Sequence, residues 1–207
     1  MTIRAIFFDI GGIFFNESDR APVKAWEKRL DLQTGQLYEI VLDNSIAKQA
    51  TLGNATVEEI WNEVAEQLSL SKFEIQQLKM DMWSGWIWDT NLLSDIRILK
   101  SNYKLGTISD AWPGAREGMI EYINNGIFDV SVFSYEEGLE KPDPQIFHRA
   151  LSRLEVIPQE AIFLDDKLKN IQGAQAIGMA GVHVIDPKKQ VREVINILSK
   201  GGSVREY

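Results

Sequence analysis

The 207-residue chain is 44% hydrophobic and 25% charged, the composition of a globular protein rather than of a disordered or membrane-embedded one. Thirty acidic residues against twenty-two basic ones leave a formal charge of −8, which removes any general attraction for nucleic acid or an anionic membrane surface. Cysteine is absent, so disulfides, a thiolate nucleophile and a cysteine-held metal are excluded.

In chain order, Ile3 to Phe8 is a short apolar run ending in Asp9 and Gly11-Gly12, the pattern of a strand covered on both faces. It is too short for a signal peptide or a membrane span, and no later stretch approaches the ~18 apolar residues that a span needs. A cytoplasmic protein, monomeric or homodimeric, is the expectation. Residues 16–90 show no convincing strand but several helix starts. Thr56-Val57-Glu58-Glu59 and Ser71-Lys72-Phe73-Glu74 both match the capping box, and Val57, Ile60, Trp61, Val64 and Leu68 recur at helical spacing. Five of the six tryptophans (Trp26, Trp61, Trp83, Trp86, Trp88) fall in this stretch, which reads as an all-helical insert.

Four further strand-like runs follow: Lys104 to Ile108, Val130 to Phe133, Ala161 to Leu164 and Val182 to Ile185. Helical patterns over Gly114–Asn124, Pro144–Leu154 and Asn170–Ile177 alternate with them. The alternation predicts an α/β fold, a parallel sheet with helices on both faces. The core is then residues 1–15 and 91–207, interrupted by the insert at 16–90.

Polar residues stand at the carboxyl ends of these strands, where sites form in parallel sheets. Asp9 ends the first, Ser109-Asp110 the second and Asp165-Asp166 the fourth, while Lys141 lies in Lys141-Pro142-Asp143-Pro144 before a helix that Asp143 can cap. Each alone has an ordinary explanation: a turn aspartate, a helix cap, a solvated lysine. The Asp165-Asp166 pair needs more, because adjacent carboxylates repel and a cation between them is the simplest remedy. His148 and His183 fall within a helix and a strand, where surface and core are the plainer readings. A serine triad and a dinucleotide site both lack their glycine patterns. Trp83 and Trp86 read first as packing.

Four stretches in this order resemble the haloacid dehalogenase-like hydrolase superfamily, in the form with a helical cap inserted after the first motif. They are Phe7-Phe8-Asp9-Ile10-Gly11-Gly12, Leu105 to Pro113, Gly138-Leu139-Glu140-Lys141-Pro142-Asp143-Pro144, and Phe163-Leu164-Asp165-Asp166 with Asn170 beyond. The resemblance implies a Rossmann-like sheet of strand order 5-4-1-2-3 and phosphoester hydrolysis through an aspartyl-phosphate on Asp9, with Mg²⁺. Ser109, Asp110 and Lys141 would bind the phosphoryl group, Ser109 and Lys141 also acting in catalysis. Asp9, the Gly11 carbonyl, Asp166 and Asp165 would serve the metal, with Asp166 favoured over Asp165.

The family's second aspartate, its general acid, is replaced here by Gly11, so the leaving group departs unprotonated or takes its proton from water or from a residue such as Glu17 or Asp19. Asn170 stands where many relatives have another aspartate, and accepting a hydrogen bond from Lys141 is its expected role. The expected activity is a Mg²⁺-dependent phosphatase for a small phosphorylated metabolite, a sugar phosphate being one example. A 2-haloacid dehalogenase and a non-catalytic phosphometabolite-binding protein are the alternatives.

Overall fold

A computed structural model describes residues 2–200. Strand β1 (Ala5–Phe8) is followed by β2 (Phe15–Glu17), helices α1 (Ala21–Arg29), α2 (Gln36–Leu42), α3 (Ser45–Thr51), α4 (Val57–Gln67) and α5 (Lys72–Ser84), and strand β3 (Trp86–Trp88). Next come α6 (Thr90–Asp95), β4 (Lys104–Ser109), α7 (Ala115–Gly118), α8 (Ile120–Ile123), β5 (Val130–Phe133) and α9 (Ser134–Glu137). The last described elements are α10 (Pro144–Arg153), β6 (Ala161–Asp165), α11 (Leu168–Ala176), β7 (Ala180–His183) and α12 (Pro187–Ser199).

Five of the strands form a parallel sheet in the order β5-β4-β1-β6-β7. Counted along the sheet strands alone, this is the expected 5-4-1-2-3. Alternation along β1 explains the two layers: Ala5 and Phe7 face one apolar cluster with Ile146, Phe147, Ile171 and Phe163. Ile6 and Phe8 face the other, with Leu92, Leu99, Val191 and Val194. All four β1 side chains are buried, so β1 is the centre of the sheet. The chain leaves β1 toward β4 and returns to β6 on its other side, which makes the end of β1 the switch point.

The residues between β2 and β3 form a helical lobe around Val23, Leu37, Val41, Ile60, Trp61, Val64, Leu78 and Met82. Both capping boxes are formed: Thr56 and Ser71 each accept from the amide three residues on, and Glu59 and Glu74 reach back to the cap amides. The expectation of no strand in residues 16–90 is corrected. β2 and β3 pair antiparallel, Phe15 with Trp88 and Glu17 with Trp86, and the 15/16 boundary falls inside β2. Strands of three residues are too short to show alternation. Just beyond the pair, the amides of Ser18 and Asp19 and the Ser18 hydroxyl all donate to the Gly85 carbonyl. A β-carbon at Gly85 would stand 1.8 Å from the Asp19 oxygen, so only glycine permits the crossing.

Two other ranges shift. The helix expected over 114–124 is broken into α7 and α8 at Met119 (φ −106°, ψ 3°). The last strand ends at His183, with Ile185 exposed beyond it. Among the described residues, no helix is long and apolar enough to cross a membrane.

Candidate active site

Three strand ends and one tight connection bring the expected residues together. Asp9 follows β1, and its Oδ1 accepts from the Ile10 amide at 2.7 Å. Lys141 arrives on a cis Lys141–Pro142 peptide just ahead of α10, which Asp143 caps with Pro144 at its first position, as expected. The Lys141 side chain is fully buried; its Nζ lies 3.0 Å from Asp9 Oδ2 and 2.8 Å from Asp165 Oδ2. The ammonium also sits 5.4 Å from the Phe163 ring centroid, a further attraction for a cation.

Asp165 is fully buried and accepts from three donors. Lys141 Nζ and Asn170 Nδ2 donate to its Oδ2, and the Lys167 amide donates to Oδ1 at 2.7 Å. Asp166 is different. It is half-buried, and its Oδ1 is shielded from solvent without a hydrogen-bond partner. Its main-chain carbonyl is bound by His183 Nε2 at 3.0 Å, so His183 braces this loop rather than filling the core. One oxygen from each of Asp9, Asp165 and Asp166 can be chosen so that all lie within 4.8 Å of one another.

Three carboxylates and one ammonium leave an uncompensated negative charge in a low-dielectric site, a cost of several kcal/mol per unpaired ion. The acidities respond accordingly. Burial is the main force raising Asp9, the charges of Asp165 and Asp110 add to it, and Lys141 opposes it; Asp9 settles at about 7. Burial and Asp165 likewise raise Asp166. Burial alone would lower Lys141, but Asp9, Asp110 and Asp165 outweigh it and hold the ammonium firmly protonated. A divalent cation beside Asp9 and Asp166 fits this donor set: hard oxygen ligands, surplus negative charge and an unpartnered buried oxygen.

Other expected residues take different roles. Asn170 does not accept from Lys141; its amide donates to Asp165 Oδ2 at 2.9 Å, which fixes the side chain's orientation and leaves Oδ1 buried and unpaired. The Asp110 carboxylate accepts from the Lys141 amide at 2.9 Å, so it locks the lysine loop, and only its main chain could serve a phosphate. Ser109 is buried at the end of β4, as expected. The next helix begins only at Ala115, and the Ala111 amide already donates to Ser134 Oγ. Glu17 accepts from the Tyr38 hydroxyl and pairs with Arg20, while Asp19 caps Ala21.

Two contributors escaped the sequence reading. Ser134, fully buried at the start of α9, both accepts from and donates to the main chain of Ala111. Gly12 (φ +75°) lies so close to Asp166 that a β-carbon there would be 2.5 Å from the carboxylate. The Gly11-Gly12 pair was the available signal, but the sequence does not show that Asp166 comes near it.

The family model described as haloacid dehalogenase-like hydrolase matches residues 3–178. A sesquiterpene phosphatase of Aspergillus oryzae is 27% identical over 192 residues, covering 89% of this chain and 91% of its own. Among solved structures, a HAD family enzyme of Bacteroides thetaiotaomicron superposes with a TM-score of 0.78 at 19% identity, covering 94% and 99% of the two chains. That enzyme has also been solved with magnesium and inorganic phosphate, a form that superposes at 0.70 with 22% identity over 87% and 93%. An L-2-haloacid dehalogenase shares the fold as well, at 0.63 and 18% identity over 86% and 83%.

Proposed function

Because the chain belongs to the haloacid dehalogenase-like hydrolases, we propose that it is a Mg²⁺-dependent phosphatase for a small phosphorylated metabolite, acting through an aspartyl-phosphate on Asp9. One observation carries the reading: Asp9 and Asp166 converge beside a buried lysine, with an Asp166 oxygen left unpartnered. A halide displacement needs no such cluster. The likeness to a sesquiterpene phosphatase over nearly the whole chain also favours phosphate chemistry.

In this mechanism Asp9, Asp166 and the Gly11 carbonyl would hold Mg²⁺, with Asp165 as the strut that orients Lys141 and the loop after β6. When bound, the ion supplies positive charge that offsets the repulsion between a carboxylate and a phosphate dianion. The Ile10 amide and Lys141 restrain the two Asp9 oxygens, so one faces an incoming phosphorus without a search through rotamers. Lys141, a compact charge on a stiff connection, takes a phosphoryl oxygen, and the Ser109 hydroxyl takes another. Asp9 attacks phosphorus, the ester oxygen leaves, and water then hydrolyses the acyl phosphate. Residues 16–90 act as a cap over this site.

The deciding measurement is phosphate release from a set of phosphomonoesters with Mg²⁺, with Ca²⁺ and with excess chelator. We expect turnover with Mg²⁺ alone and inhibition by Ca²⁺, which takes more ligands at longer distances. Chloride release from a 2-haloacid in chelator, without phosphate release, would replace this reading with the dehalogenase one.

A further inference from the structure

Departure of an alkoxide (conjugate acid near 16) normally needs a proton from the enzyme, and such general acid catalysis is worth about 10²–10⁴-fold. Of the carboxyl groups that could supply it, Asp166 would hold the cation and the others already have partners. Asp110 is bound by the Lys141 amide, Asp165 by three donors, Glu17 by Tyr38 and Arg20, and Asp19 by the start of α1. The Tyr38 hydroxyl donates a hydrogen bond to Glu17 and accepts one from Trp86 Nε1. Position 11, in the loop beside the nucleophile, offers no side chain. A β-carbon there would meet nothing within 4 Å, so the glycine leaves open room rather than relieving a clash.

A second, independent feature adjoins that room. Phe15 follows directly from the Asp9 loop, its carbonyl accepting from the Gly12 amide and its backbone bridging Gly11. Trp112 follows Ser109-Asp110 on the neighbouring strand end. Between them Trp86 and Trp83 complete an arc: ring centroids are 5.2 Å apart for Phe15–Trp86, 5.9 Å for Trp83–Trp86 and 6.3 Å for Trp83–Trp112. All four rings are only half-buried. An apolar aromatic arc thus connects the two loops that carry the proposed nucleophile and phosphate site.

We propose that the substrate is a phosphate monoester of a phenol, its ring seated against Phe15, Trp86, Trp83 and Trp112. The inference rests on the phosphatase reading above. An oxygen of Asp9 forms the new bond to phosphorus, the P–O(aryl) bond breaks, and its electron pair departs on a phenolate, whose conjugate acid lies near 10. No proton from the protein is needed; solvent protonates the product outside. Water then attacks the aspartyl-phosphate, releasing phosphate and restoring the Asp9 carboxylate, with the protons passing to bulk solvent.

The test uses the full chain with Mg²⁺ and three probes: phenyl phosphate, cyclohexyl phosphate (similar shape, poor leaving group) and acetyl phosphate (good leaving group, no ring). We expect single-turnover rates for phenyl phosphate about 10³-fold or more above cyclohexyl phosphate. Rates within tenfold of each other would mean that an acid is already in place, and would overturn the inference while leaving a phosphatase. Trp83→Leu should lower the ratio of kcat/KM for phenyl over acetyl phosphate about tenfold, through KM, by removing a ring-stacking contact. An unchanged ratio would reduce the arc to packing between lobe and sheet. Loss of folding would lower both rates together and not the ratio, and the wild-type comparison stands without any variant. Failure of all three probes, with Mg²⁺ present, would instead remove the phosphatase reading itself.

Discussion

At the carboxyl edge of the sheet, Asp9, Lys141 and Asp165 are buried and tied to one another or to main-chain amides, while the helical lobe meets the same region with half-buried aromatic rings. Charges that must hold position to a fraction of an ångström sit on strand ends of a five-stranded sheet and on one tight connection. Side chains that only need to present an apolar surface sit on an insertion joined through two three-residue strands. The difference separates reactivity from selection: a change in the first region should cost rate on every substrate, and a change in the second should alter which substrate is used or how stable the lobe is.

The largest break in that comparison should come from Asp9→Asn. The amide is nearly isosteric but a poor nucleophile, so we expect a loss of at least 10³-fold in kcat with circular dichroism unchanged. Residual activity within about tenfold, ~1.4 kcal/mol of barrier, would falsify covalent catalysis by Asp9.

The two neighbouring aspartates should separate next. Asp166→Ala should raise the Mg²⁺ concentration needed for half activity about 10–100-fold with little change in melting temperature. Asp165→Ala strips acceptors from Lys141, Asn170 and the Lys167 amide, and should destabilise the fold by ~3 kcal/mol or more. Titrations of activity against Mg²⁺, paired with thermal melts, distinguish them. Equal losses on both axes would mean that the strut and the ligand are one function.

A smaller effect concerns acidity. Without a cation, folded Asp9 titrates at about 7 against 3.8 for an ordinary aspartate. Between those values the folded chain keeps a proton that the unfolded chain has lost, so cation-free stability should fall as pH rises through that window and level off above it. Asp9→Asn should flatten the slope and melt higher at pH 8, by roughly 2–4 °C for each ~1 kcal/mol relieved. Melts in chelator from pH 4.5 to 8 check this; a slope shared by wild type and variant would assign it elsewhere.

The smallest expected effect lies in the lobe. Thr56→Ala removes one capping box and should cost ~1 kcal/mol without changing kcat. A comparable loss of kcat would show that the lobe's helices position the reacting groups after all.

The sheet and its order were legible because five apolar runs ended in polar residues at intervals that a βα repeat explains, and the resemblance supplied the order. Asp9, Lys141, Asp165 and Asp166 converge as expected. What stayed hidden were partnerships rather than positions. That Asp110 holds the Lys141 amide, and that Asn170 donates to Asp165 instead of accepting from Lys141, depends on side-chain directions that spacing does not encode. The β2–β3 pair escaped because three residues carry no period. The constraint on Gly12, the nearness of Asp166, comes from a residue more than a hundred and fifty positions away.

The crossing at Gly85 has a consequence for how such a protein can change over generations. The insertion enters at Phe15–Glu17 and exits at Trp86–Trp88, side by side and clasped by Ser18 and Asp19. The sheet therefore sees one doorway, not the length of chain beyond it. Doubling a flexible excursion adds only about 0.6 kcal/mol of closure entropy, so pieces can be added, exchanged or trimmed beyond the doorway while Asp9 and Lys141 keep their places. New substrates become reachable by remodelling a detachable annex, provided that residue 85 never acquires a side chain.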